Sequence, residues 1–164
     1  MLALHWFNIL PATGEGVGLF LLMTFVMFFI VGPVEEFEFR SFVHDQSARV
    51  FPLGLALIIS SVLFGFSHIP IAIFVYEMPV ADLIVAEISW ISAGFVFGAL
   101  YMWSRNIFAC IVMHGIGNWQ LAVFFLQSEF AAELPHEQYL VGSVITSILA
   151  NAVIIVIFYL VHRY

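Results

Sequence analysis

The chain has 164 residues, of which 63% are hydrophobic and only 9% charged, and its formal net charge is −7. A soluble domain carries about 25% charged residues because its surface must face water, so this composition excludes an ordinary water-soluble globule. It also excludes a nucleic-acid-binding protein, because four arginines and no lysine cannot form a basic patch for phosphate. One membrane domain over residues 1–164 fits the length, with lipid as its solvent.

Five apolar blocks follow a short interfacial lead-in over residues 1–16, in which we find no removable signal peptide. They cover residues 17–31 (continuing past Gly32 and Pro33 to near His44), 51–74, 83–103, 107–126 and 139–161. Each block is about 20 residues long, as an α-helix needs to cross ~30 Å of hydrocarbon. Strand-like alternation is absent. The sequence therefore predicts an all-α, polytopic membrane helix bundle of about five transmembrane helices.

The loop charges predict an orientation. Arg49, Arg105 and Arg163 follow the first, third and fifth blocks, whereas the other loops are acidic and contain Glu77, Asp82, Glu129, Glu133 and Glu137. By the positive-inside rule, the N-terminus lies outside and the C-terminus in the cytoplasm. We expect an integral, multi-pass protein of a prokaryotic cell membrane.

The third block carries Gly94 and Gly98, a spacing that predicts close helix packing within the bundle rather than a dimer interface.

Three blocks carry polar residues that membrane helices rarely contain. They are Glu35, Glu36 and Arg40 in the first, His68 in the second, and His114 and Asn118 in the fourth. A charged side chain at the bilayer centre costs about 2.5–3.5 kcal/mol on insertion scales, so each needs a reason. Counted at 1.5 Å per residue from the cytoplasmic ends, they lie roughly 12–22 Å deep. Overlapping depths predict one shared, water-accessible site that opens toward the cytoplasm.

Helical spacing predicts how these residues face one another. Glu36 and Arg40 are four residues apart and can pair, while Glu35 points about 100° away and can face the cavity. His114 and Asn118 are also four apart and share a face. A carboxylate in a partly dry pocket can act as a general base on water. Histidines can hold a metal, orient that water or donate to an oxyanion, and an asparagine amide can donate too.

Other intramembrane protease designs fit the sequence poorly. The helical zinc motif H-E-x-x-H is absent. Asp45 and Asp82 lie near helix ends, which disfavours an aspartyl dyad. Ser67 lacks the following glycine of a rhomboid-type site.

The ordered set E-E-x-x-x-R, F-x-x-x-H and H-x-x-x-N resembles the CPBP family, which includes CAAX prenyl endopeptidases and bacteriocin-processing or immunity (Abi) proteins. The matching residues are Glu35 to Arg40, Phe64 to His68, and His114 to Asn118. The resemblance implies that Glu35 activates water held by His68, that His114 and Asn118 stabilise the oxyanion, and that Glu36 and Arg40 shape the site. Glu35, His68 and His114 are also candidate ligands for a zinc ion.

Two departures from the family pattern stand out. Ser41 occupies a position where a glycine usually follows the arginine. Only a short lead-in precedes the family-like core, about residues 17–127, whereas larger members carry further N-terminal helices.

Three functions fit this pattern. The first is an intramembrane endopeptidase that cleaves a membrane-associated peptide, such as a prenylated CAAX-like C-terminus or a leader peptide, and its partners are then lipid and peptide. The second is a non-catalytic binding or immunity scaffold of the same fold. The third is a proton-coupled carrier, which the lack of repeat symmetry disfavours.

Overall fold

The structure, a computed structural model, describes residues 18, 21–22, 24–124 and 136–162. Within these ranges the chain forms helices joined by short turns and contains no strand, which confirms the all-α prediction. The N-terminal lead-in, the acidic loop over 125–135 and Arg163 lie outside the described residues. Predictions that concern them stay predictions.

The first helical segment alternates between π-helical and α-helical turns. Met27–Val31 and Phe37–His44 are π-helical, while Gly32–Glu36 (α1) and Asp45–Ala48 (α2) are α-helical. A π-helical turn bonds residue i to i+5 and is found frequently at functional sites. Both predicted glutamates therefore lie at the end of α1, directly before the wide turns that carry the arginine of the motif.

The second predicted helix is interrupted in the structure. Leu53–Phe66 (α3) ends at Ser67, and Ile69–Phe74 (α4) begins after His68, which serves as its N-cap. The sequence gives the cause, because Pro70 has no backbone N–H to donate to the carbonyl of Phe66 and its ring would clash there. The interruption places His68 at a turn between two short helices rather than within one long helix.

Val80–Ser104 (α5) is the central helix of the described bundle, and it packs mainly against α3 and against His136–His162 (α7). Ile107–Phe124 (α6) follows after a tight turn at Arg105, which adopts a left-handed conformation with φ of 52°. Asn106 then caps α6, since its side-chain oxygen accepts a hydrogen bond from the Ala109 N–H at 3.2 Å. The turn thus reverses the direction of the chain, so that α6 runs back alongside α5.

The two glycines of the third block pack within the chain, as predicted. A Cβ on Gly94 would lie 3.0 Å from the Ser61 backbone, and one on Gly98 would meet the side chain of Leu57. Both neighbours belong to α3, so small residues on α5 allow these two helices to approach closely.

Burial in this bundle is distributed as expected for a protein in lipid. The largest fully buried side chains include Arg40, His44, His114 and Glu36, whereas large apolar side chains such as Phe29, Phe74 and Phe108 face outward. Two helical stretches, Leu53–Phe74 and Val80–Ser104, are long and apolar enough to cross a membrane. The polar groups thus lie inside and the apolar surface outside, so the chain is a membrane helix bundle.

The first segment and α5 end at the same end of the bundle. Asp45 accepts hydrogen bonds from the Arg105 guanidinium at 2.8 Å and from the Tyr101 hydroxyl at 2.9 Å. Since Arg49 directly follows α2, it lies at this end with Arg105, as the charge pattern predicts. Which side of the membrane this end faces stays a prediction.

Candidate active site

Five of the six predicted site residues lie together in a group that we call the polar cluster. It consists of Glu35, Glu36, Arg40, His68 and His114. The first segment supplies the carboxylates and the arginine, the turn between α3 and α4 supplies one imidazole, and α6 supplies the other. Three separate parts of the chain therefore meet at one point, as the depth argument predicts.

Glu35 lies at the centre of the polar cluster. Its Oε2 atom is 3.6 Å from Nε2 of His114 and 3.8 Å from Nε2 of His68. These distances are too long for direct hydrogen bonds, and a water molecule lying beside the two groups could contact both. Oε2 has no hydrogen-bond partner among the described residues, although the side chain as a whole is 25% exposed. Glu35 is thus placed to share a water with either imidazole.

Glu36 is fully buried and is held from two sides. Its Oε2 lies 3.1 Å from Nε of Arg40, which is equally buried, and its Oε1 accepts a hydrogen bond from His114 Nδ1 at 2.7 Å. The guanidinium also lies over the ring of Phe64, 4.8 Å from its centroid, and 5.5 Å from that of Phe97. A buried carboxylate needs such partners, because an uncompensated charge is strongly destabilising.

The hydrogen bonds assign the proton positions on both imidazoles. His68 Nδ1 lies 2.8 Å from the backbone oxygen of Phe64, which can only accept, so Nδ1 carries a proton. Nδ1 of His114 carries a proton for the same reason, because it lies 2.7 Å from a carboxylate oxygen of Glu36, which accepts a hydrogen bond. Both Nε2 atoms are left to face Glu35. Phe64 also packs edge-on against both imidazole rings, so the first residue of F-x-x-x-H supports both histidines.

Asn118 is the sixth predicted residue. It lies in α6 one turn beyond His114, about 6 Å further along the axis, and its side chain is partly exposed. Its amide makes none of the described hydrogen bonds to the polar cluster. The structure therefore puts Asn118 one turn from the polar cluster, and its predicted role in the site stays a prediction.

Two aromatic residues of α5 were not singled out from the sequence. The ring of Trp90 stacks on His68, and that of Phe97 stacks on His114. They are seven residues apart and so share one helical face. Because the chain contains nineteen phenylalanines and four tryptophans, this spacing alone did not distinguish them. His44, one turn after Arg40, packs edge-on against Tyr101 at the end of the first segment.

The arrangement does not fit a metal ion as it stands. Among the described residues, no three His, Cys, Asp or Glu side chains are arranged to hold one. The candidate ligands from the sequence, Glu35, His68 and His114, do lie together, with Oε2 of Glu35 3.6 and 3.8 Å from the two Nε2 atoms. No step of the mechanism below is assigned to a metal, and these three residues stay the candidate ligands for a zinc ion.

Comparison with known proteins identifies the family. No curated protein and no solved structure matches the chain. The sequence profile described as Type II CAAX prenyl endopeptidase Rce1-like matches residues 17–120, a range that contains the whole polar cluster and Asn118. This agrees with the resemblance carried by the three motifs. Because the match covers more than half of the sequence, the chain belongs to the Rce1-like type II CAAX prenyl endopeptidase family, a family of membrane-embedded proteases.

Proposed function

We propose that the protein is an intramembrane endopeptidase in which Glu35 activates a water molecule for attack on a peptide bond. The observation that carries this proposal is the position of the Glu35 carboxylate, 3.8 and 3.6 Å from the Nε2 atoms of His68 and His114. A general base must reach the proton it takes either directly or through one water. No protein nucleophile is needed, since the attacking group is water itself.

His68 orients the water in this mechanism. Its Nδ1 proton is donated to the Phe64 carbonyl, so neutral His68 has a lone pair on Nε2 that accepts one hydrogen of the water. The other hydrogen points at Oε2 of Glu35. With both hydrogens held, a lone pair on the water oxygen is free to attack the substrate carbonyl carbon, and the proton passes to Glu35.

His114 stabilises the oxyanion that forms. Its Nδ1 proton is donated to Glu36, so Nε2 can donate only if the ring carries a second proton. Nε2–H of His114 and the Asn118 amide would then both donate to the oxyanion. The intermediate collapses as Glu35 returns its proton to the departing amine.

The substrate is a peptide that reaches the site from the bilayer or the cytoplasm. Glu35 and His68 are the partly exposed members of the polar cluster, with 25% and 20% of their side chains accessible, whereas His114 is 2% exposed. Substrate must therefore approach from the side of the first two. An apolar outer surface suits a lipid-anchored chain, so we propose prenylated CAAX-like C-termini and membrane-associated leader peptides as the substrates to test.

The decisive experiment compares Glu35→Gln with Glu38→Gln. Both lie in the same motif, but Glu38 is exposed and outside the polar cluster. Purified protein in liposomes would be given a fluorogenic peptide with a farnesylated CAAX end and, separately, a leader peptide. Loss of the general base is expected to lower hydrolysis by about 10²–10⁴-fold, while Glu38→Gln keeps the wild-type rate.

Two results would refute catalysis by Glu35. One is hydrolysis by Glu35→Gln at the rate of the control variant. The other is peptide binding by both variants and the wild type with no cleavage by any of them, which would support the non-catalytic scaffold instead.

A further inference from the structure

Helix α5 contributes no residue to the polar cluster, yet it contacts both imidazoles through one face. Trp90 stacks on His68 with ring centroids 4.8 Å apart and an interplanar angle of 21°. Phe97 stacks on His114 at 4.7 Å and 13°. Near-parallel rings at these distances are within the range of favourable aromatic packing. Two residues separated by two helical turns thus cover the two histidines individually.

The close approach of α5 to α3 makes these contacts possible. Gly65 precedes His68 by three residues, and a Cβ there would lie 2.5 Å from Ile91 Cγ1 and 2.6 Å from Glu87 Oε1. The two α5 residues that occupy this space flank Trp90 in the sequence. A side chain at position 65 would have to displace both of these side chains, and the Ile91 backbone nitrogen lies only 3.3 Å from the same point. The glycine thus helps α5 to approach the turn that carries His68.

Each imidazole is constrained in two independent ways. A hydrogen bond at Nδ1, to the Phe64 carbonyl for His68 and to the Glu36 carboxylate for His114, fixes one edge of the ring. Because the ring is also attached through Cβ and packs edge-on against Phe64, the hydrogen bond limits its rotation but leaves some freedom in the tilt of its plane. A stacked aromatic face removes that freedom, because it fixes the plane of the ring. Nε2 then points at Glu35 in both cases.

We propose that α5 is a positioning helix, in which Trp90 and Phe97 orient the planes of His68 and His114 so that both Nε2 atoms converge on Glu35. This inference rests on the proposed hydrolytic function for its catalytic readout. The proposed mechanism assigns no step to either aromatic side chain. Each aromatic ring affects the reaction only by orienting the histidine on which it stacks. This role requires an aromatic ring at each position, and an aliphatic side chain of similar size would not supply it.

The kinetic test compares leucine and aromatic substitutions. Trp90→Leu and Phe97→Leu are expected to lower kcat by about tenfold to a hundredfold with little change in KM, because small misplacements of a catalytic group are costly. Trp90→Phe keeps a stacking ring and is expected to stay within about threefold of wild type. The matched controls are Trp103→Leu, whose ring contacts Tyr159 instead of a histidine, and Phe95→Leu on another face of α5.

A spectroscopic test does not depend on activity. The ring protons of His68 and His114 should show upfield ring-current shifts in the NMR spectrum of labelled protein. The His68 shift should vanish in Trp90→Leu and persist in Trp90→Phe, and the His114 shift should vanish in Phe97→Leu.

The outcomes separate the two claims. If the wild type cleaves no peptide, the proposed function fails and the NMR shifts alone decide whether α5 positions the histidines. If the wild type is active but the leucine variants match their controls in kcat, or the imidazole shifts are absent, α5 has no positioning role. A fall in kcat in the two leucine variants that Trp90→Phe does not share supports the proposal.

Discussion

Replacement of Arg40 by glutamine is expected to destabilise the bundle by about 3 kcal/mol, the lower part of the range for breaking a buried ion pair. Arg40 and Glu36 are both 0% exposed, and their charged atoms are 3.1 Å apart. The substitution leaves the Glu36 carboxylate buried with only the His114 N–H as partner, and that remaining bond keeps the loss from the upper part of the range. The guanidinium contacts with two phenylalanine rings are lost as well.

A matched control is available at the end of the bundle. Arg105 also forms an ion pair at 2.8 Å, with Asp45, but its side chain is 57% exposed. Exposed pairs contribute about 0–1 kcal/mol, so Arg105→Gln should have a small effect. For a chain of this size, 3 kcal/mol corresponds to a drop of about 6–12 °C in Tm. Thermal unfolding in detergent, followed by helical circular dichroism, resolves that difference.

The double variant Glu36→Gln/Arg40→Gln completes the test. Removing both charges leaves no unpaired buried ion, so the double variant should recover at least half of the stability that Arg40→Gln loses. Two results would refute the reasoning. The first is a Tm for Arg40→Gln as high as that of Arg105→Gln. The second is a double variant less stable than Arg40→Gln alone, since the Glu36 charge would then not be the cause of the loss.

Three further predictions concern the pH dependence of stability, the packing of a glycine and metal binding. Burial opposes ionisation of Asp45, but hydrogen bonds from Tyr101 and a nearby arginine outweigh it and hold the pKa of Asp45 below its ordinary 3.8. Ionised Asp45 therefore stabilises the fold above pH 3.8, and this stabilisation is lost as the pH falls through the lower pKa of the folded state. In a series of Tm values measured against pH, Asp45→Asn should reduce the fall in Tm at acid pH. Gly94→Ala should cost about 1–3 kcal/mol because its Cβ meets the Ser61 backbone at 3.0 Å, whereas Gly117→Ala, with open space around it, should cost nothing measurable by the same unfolding assay. Chelator treatment should leave peptide hydrolysis unchanged, and a loss reversed by zinc would show instead that the carboxylate and the two imidazoles of the polar cluster hold a metal.

The contacts within the polar cluster that follow from helical spacing could be predicted from the sequence. Glu36 and Arg40 pair across one turn, and Glu35 points away from Arg40 toward the histidines, as the 100° step between neighbours requires. The depth count predicted that Glu35 and His68 share one site, but it did not predict that their side chains lie 3.8 Å apart. These arguments work because ionisable residues are rare in this sequence, so each one carries information.

Contacts made by common residue types could not be predicted. Trp90 and Phe97 look like any other aromatic residue of an apolar helix until α3 is placed against α5. The hydrogen bond from His114 to Glu36 could be predicted only if the rotation of α6 relative to the first segment were known, and the spacing of residues in the sequence does not specify that rotation. The interruption at His68 was readable in principle from Pro70, but proline kinks a membrane helix as readily as it ends one.

The π-helical turns of Phe37–His44 make the first segment sensitive to a change in length. Each wide turn accommodates extra backbone relative to an α-helix, so deletion of a single residue there would let the segment relax to regular α-helical geometry. Because the wide turn absorbs that residue, the helix beyond the deletion would keep its facing, whereas the same deletion in a regular α-helix would rotate everything beyond it by about 100°. A deletion between Glu36 and Arg40 would shorten their spacing from four residues to three, whereas removal of a residue after Arg40 would leave the ion pair intact. Alignments of related chains should therefore tolerate gaps after the arginine of this motif but not between it and the glutamates.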